Sequence, residues 1–198
     1  MSVDIHMIRS PSGSFFDAQK AALAHPCINF HEAQYVPGSV VEARLQGFQL
    51  GTSPYVSWVD DDDHVLDIQW IDQALDILDN DPTVSAVFPQ WCSSQNGTVV
   101  HTSMTGNQPY PIAPHHLTIM RRQNVIPLLT EISDQFPNLI CFAELMLLFG
   151  QLRFGRVAYL PVMAYEWVQY ANGASKVTED QYTTAFVYGH IQQSLTYL

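Results

Sequence analysis

Four consecutive aspartates, Asp60 to Asp63, follow the apolar run Pro54-Tyr55-Val56-Ser57-Trp58-Val59. Carboxylates crowded this closely repel one another unless a cation compensates. Hard oxygen ligands suit Mg²⁺ or Mn²⁺, and such ions in turn bridge phosphate oxygens. One reading of the tract is therefore a metal site that handles a polyphosphate. The other is a solvated acidic run in which Asp63 caps the next helix. A calcium loop of the EF-hand type is excluded, because its sixth position must be Gly and both frames put Val65 or Leu66 there.

The run before the tract has the length and composition of a buried strand. In an α/β sheet the carboxyl ends of strands are where ligands sit, so the tract stands at a functional edge. The surrounding pattern alternates. Strands are expected at Val3–Ile8, Cys27–Phe30, Val84–Pro89, Leu117–Met120 and Val157–Pro161. Helices are expected over Ser14–His25, from a Ser39 cap to Gly51, and over Val65–Asn80, Val125–Phe136 and Phe142–Phe154. A final helix to about Leu195 starts from the capping box Thr178 to Gln181. Asn96 to His116 reads as a hairpin and loop. This alternation implies one α/β domain over 1–198, a mixed sheet flanked by helices.

The composition narrows the function classes. Apolar residues make up 47% of the 198, enough for a full core. The net charge is −11 with only 8 Lys and Arg, which argues against nonspecific nucleic-acid binding. Cys27, Cys92 and Cys141 are odd in number and widely spaced, so no disulfide framework or zinc site is expected and a reducing, cytoplasmic setting fits. No signal peptide and no membrane span is expected.

Longer motifs add a resemblance. Val41-Glu-Ala-Arg-Leu-Gln-Gly, then Leu50-Gly-Thr-Ser-Pro-Tyr-Val-Ser-Trp-Val and the four Asp, resembles the family 2 glycosyltransferases of GT-A fold. The likeness continues through Asn80-Asp81-Pro82, Ile119-Met120-Arg121-Arg122, Phe142-Ala-Glu-Leu-Met-Leu-Leu and Phe154-Gly155-Arg-Val-Ala-Tyr-Leu-Pro. The resemblance implies a nucleotide-binding half over about 1–90 and an acceptor half over about 91–198. It implies a nucleotide-sugar donor, UDP-linked, a Mn²⁺ or Mg²⁺ cofactor and a hydroxyl acceptor. Asp60 would contact the ribose or the metal, Asp62 would ligate the metal and Asp63 would support it; the frame Asp61 and Asp63 stays open. Arg44 would point to the nucleotide or its diphosphate, Glu32 would read the base, and Glu144 would be the general base of an inverting transfer, eleven residues before Gly155.

The text departs from the family where Tyr-Arg-x-His is common, since this chain has Tyr165-Glu166-Trp167-Val168; His115, His116 or His190 are substitutes. Trp91, Trp167 and Tyr110 are candidate stacking platforms. The acceptor is expected to be soluble: a saccharide, a small metabolite or a hydroxymethylated DNA base. The last would need Arg121, Arg122, Arg153, Arg156 and Lys176 in one groove. A nucleotidyltransferase and a non-enzymatic acidic binding module are the rival readings.

Overall fold

A computed structural model describes residues 1–11, 15–37, 39–102, 117–136 and 143–169. The helix expected after Thr178, and Tyr110, His115, His116, Cys141, Lys176 and His190, lie outside the described residues. The elements run β1 (Val3–Arg9), α1 (Phe16–Ala22), β2 (Ile28–Gln34), α2 (Val40–Gln49), β3 (Tyr55–Asp60), β4 (His64–Val65), α3 (Ile71–Asn80), β5 (Val84–Gln95), β6 (Thr98–Thr102), β7 (Ile119–Arg121), α4 (Arg122–Gln135), α5 (Ala143–Gly150) and β8 (Arg156–Gln169).

All eight strands among the described residues join one mixed sheet, ordered β2-β1-β3-β7-β5-β8-β4, with β6 paired to β5. β1 lies parallel between β2 and β3. β7, from the second half of the chain, is wedged antiparallel between β3 and β5, so the sheet runs unbroken through both halves. Side chains alternate across it. Val3, Ile5, Met7, Tyr55 and Val59 face a core with α1 and α3. Val56, Trp58, Ala86 and Phe88 face a second core with α2, α4 and α5. The result is a sheet covered by helices on both sides.

Several boundaries move for identifiable reasons. The helix expected from Val65 begins only at Ile71. His64 and Val65 pair with Glu166 and Tyr165, and the Leu66 amide donates to Ala164 O at 2.9 Å. That ladder holds 64–66 extended, so Asp63 caps no helix. β2 reaches Gln34 rather than Phe30, because every residue from Ile28 to Gln34 pairs with β1. Its polar second half reflects a half-exposed edge strand. β5 and β8 both run past the prolines taken as their ends. Phe88 pairs with Tyr159 and then Gln90 with Met163, so Pro89 and Pro161 fall in a register shift where no ladder donor is required. The Asn96-Gly97 turn has φ of 52° and 75°, suited to a tight hairpin between β5 and β6.

Other readings hold locally. Ser39 Oγ accepts the Glu42 amide at 3.2 Å and caps α2. Ile71, Ala74, Leu75 and Leu78 are the buried stripe of α3. Gly155 has φ 150°, and a Cβ there would lie 2.1 Å from Thr83 O. Gly155→Ala is therefore expected to destabilise the fold by at least about 1–3 kcal/mol, read as a lower urea midpoint at unchanged slope.

Candidate active site

The aspartate tract leaves the carboxyl end of β3, beside the end of β1. Its side chains do not act as one group. Asp61 turns to the β1 exit, accepting the Ser10 amide at 2.7 Å and the Ser10 hydroxyl at 3.0 Å. Burial pushes its carboxyl pKa up, the Ser10 hydrogen bonds oppose that, and Asp60 adds to the rise. Asp63 is 1% exposed and is held by β8: the Tyr165 hydroxyl donates to Oδ2, and the Val168 amide to Oδ1 at 2.8 Å. Burial, with Asp63 and Asp60 nearby, holds the Tyr165 phenol well above its usual pKa, so it stays a donor.

Asp60, Asp62 and Asp63 each offer one carboxylate oxygen, and these atoms lie within 4.8 Å of one another. Three converging hard oxygen donors fit Mg²⁺ or Mn²⁺. Asp61 stands outside the group, which favours the frame of Asp60 and Asp62 over that of Asp61 and Asp63.

The backbone of the tract is pinned from α1. Gln19, 2% exposed, donates through Nε2 to Asp63 O and accepts the Val65 amide at 2.7 Å. The sequence reading missed Gln19 and Ser10, and it quoted Tyr165 only as part of a departure. The segment Tyr165-Glu166-Trp167-Val168 does reach the tract. A backbone amide stands at Val168, where the family often has His, and Glu166 accepts from His64 Nδ1 across 3.0 Å.

Arg44, on α2, is 3% exposed. Its Nε donates to Glu144 Oε1 at 2.7 Å, and its Nη2 to Asp60 Oδ1. Burial works against its charge, but Asp60 and Glu144 outweigh burial and raise its pKa. Arg44 thus joins the acid ending β3 to the acid in the first turn of α5. Three residues singled out from sequence are brought together, with Arg44 Nε and Nη2 committed to the two carboxylates. Gly47, one turn on, has a physical reason: a Cβ there would sit 2.2 Å from the His6 ring. His6 is 1% exposed, and burial, then Arg44, push its pKa well below the usual value. The folded chain keeps His6 neutral while the unfolded chain protonates it below about pH 6.5. Stability is accordingly expected to fall as pH drops from 6.5 to 5, by up to about 1.4 kcal/mol per unit from this group. Urea titrations of wild type and His6→Gln, where the slope should shrink, check this.

Glu32 lies on β2, two strands from β3, and pairs with Arg9 at 3.4 Å. Trp91 is not a platform: it is 4% exposed and belongs to the core. Trp167 packs partly buried against the same core. The basic groove does not assemble from its four described members. Arg121 donates to Val84 O, Leu78 O and Asp81 O, closing the end of α3. Arg122 donates to Asp4 and to carbonyls around the end of α2. Arg153 pairs with Glu131 at 2.7 Å, and Arg156 with Asp81 at 2.6 Å. Cys27 lies beside His25 and Asp72 in a second group of metal-ligand type. There His25 Nδ1 accepts the Cys27 amide at 3.3 Å, which places the ring proton on Nε2, facing Asp72.

No protein-family model and no curated protein sequence matches this chain. Solved structures do. S. aureus TarS 1–349 in complex with UDP-GlcNAc matches with a TM-score of 0.68 at 13% identity, over 97% of this chain and 66% of that one. TarS 1–349 with UDP gives 0.64 at 14% identity, over 97% and 65%. A longer TarS structure gives 0.65 at 15%, over 97% and 39%. This chain has a GT-A-like fold. The likeness to TarS, a glycosyltransferase, is one of fold, and the chain spans about two thirds of the 1–349 structures. Among the described residues no helix is long and apolar enough to cross a membrane.

Proposed function

We propose that this chain is a glycosyltransferase of the family 2 type that moves a sugar from a UDP-linked donor to a hydroxyl. The observation that carries the reading is the Asp60–Arg44–Glu144 bridge. It sets a donor-side carboxylate group and a candidate base into one site, at the sheet edge where a GT-A fold would take its nucleotide. TarS structures of the same fold were solved with UDP and UDP-GlcNAc, which supports the choice of nucleotide.

Asp60, Asp62 and Asp63 would hold Mn²⁺ or Mg²⁺, with Asp62 the principal ligand and Asp63 kept in place by Tyr165 and Val168. A bound divalent ion there supplies charge neutralisation for the departing diphosphate. Glu32 is assigned to the base of the nucleotide. Glu144 takes the proton from the acceptor hydroxyl as that oxygen bonds to the anomeric carbon. The bond from the anomeric carbon to the diphosphate breaks as the new bond forms, and the electron pair leaves with UDP. A base acting on the acceptor permits this single displacement, so the product is inverted. The acceptor class that fits is a saccharide or other small hydroxyl compound, since the four described arginines a DNA acceptor would need are each engaged by acids or carbonyls of this chain.

The test is release of UDP from UDP-GlcNAc and other UDP-sugars with Mn²⁺ and a panel of saccharides. UDP and an inverted glycoside are the expected products. Pyrophosphate from UTP, with no UDP released from any UDP-sugar, would instead mark a nucleotidyltransferase.

A further inference from the structure

The side chain of Arg44 carries more than packing explains. It is buried and charged, and it divides its hydrogen bonds unevenly. Nε serves Glu144, Nη2 serves Asp60, and Nη1 is buried with no hydrogen-bond partner. Buried donors are rarely left this way in a settled network. The oxygen that Arg44 holds on Asp60 belongs to a carboxylate of the group formed with Asp62 and Asp63. A guanidinium and a divalent cation set against the same carboxylate repel each other at short range, so each weakens the other's hold on it.

From this we infer that Arg44 is the built-in counter-ion of the site and competes with the divalent cation for Asp60. With no cation bound, Arg44 is shared by Asp60 and Glu144 and offsets one of their two charges, which helps the acidic edge fold. When the carboxylate group is loaded, Arg44 gives up Asp60 and remains on Glu144. Its second nitrogen then has room to turn toward the same acid. Arg44 is thus a positioning residue through which loading on the donor side reaches the acceptor side. The inference rests on the metal reading of the tract. It differs from a nucleotide contact in one respect: removing Arg44 should tighten cation binding.

The experiment measures Mn²⁺ affinity of the whole chain, by the electron paramagnetic resonance signal of free Mn²⁺, without nucleotide. Arg44→Gln is expected to bind Mn²⁺ at least about tenfold more tightly than wild type. That variant removes the cation that Asp60 and Glu144 share, so circular dichroism checks that it keeps the fold. The double variant Arg44→Gln/Glu144→Gln removes one positive and one negative charge together, and buried pairs tolerate joint removal far better. Its local net charge is unchanged, so simple long-range electrostatics predict no gain, whereas competition for Asp60 predicts the same tenfold tightening. Equal or weaker Mn²⁺ binding in the folded variants overturns the inference and leaves the transferase reading standing. Mn²⁺ binding by none of the proteins overturns the inference together with the metal site.

Discussion

Glu144→Gln is expected to lower the rate of sugar transfer by roughly 10²–10⁴-fold while leaving binding of UDP with Mn²⁺ within a few-fold of wild type. The amide keeps the shape of the carboxyl but cannot accept the acceptor's proton. It can still accept the hydrogen bond from Arg44 Nε through its carbonyl oxygen, so the contact between α2 and α5 survives. The measurement is steady-state UDP release, split into kcat and donor KM, with the acceptor that wild type uses. A fall confined to kcat supports the base. Transfer at the wild-type rate would make Glu144 a structural partner of Arg44 and put the base elsewhere.

The second large effect concerns the tract. Asp62→Asn should weaken cation-dependent UDP binding by at least about 100-fold, the upper end of what even an outer partner of a metal site costs. Asp61→Asn should leave that affinity within a few-fold, although the two residues are neighbours. The contrast follows from direction alone. Asp61 is committed to Ser10, while Asp62 belongs to the group with Asp60 and Asp63. Calorimetric titration of UDP at fixed Mn²⁺ measures both variants. Equal losses in the two would mean that the tract acts as a diffuse field of charge rather than as a ligand set.

What the sequence revealed and concealed follows from the range of the contacts. The Ser39 cap, the stripe of α3 and the strand running into the aspartates are local patterns and read directly. Arg44 and Glu144 were legible only through spacing shared with a family. Nothing local says that residues 100 apart meet, and only the structure shows Arg44 bridging Asp60 and Glu144. Gln19 and Tyr165 left no signal, because their side chains act through long-range hydrogen bonds, among them those to Asp63 over separations of 44 and 102 residues. Trp91 looked like a platform because an aromatic near a candidate site has two uses, and only burial tells core from cleft. The prolines of β5 and β8 looked like strand ends, because the register shift that accommodates Pro89 and Pro161 is a property of the pair and not of either strand.

The central claim is that the aspartate edge binds a nucleoside diphosphate together with a divalent cation. The most direct measurement is a thermal melt of the whole chain with UDP, with Mn²⁺, and with both. Phosphate and carboxylates need the cation between them, so the pair should stabilise far more than either alone. At a hundred times the dissociation constant the gain is about 2.7 kcal/mol, which raises Tm by roughly 5–10 °C for a chain of this size. A melt unmoved by any common nucleoside diphosphate, with or without Mn²⁺ or Mg²⁺, would contradict the account.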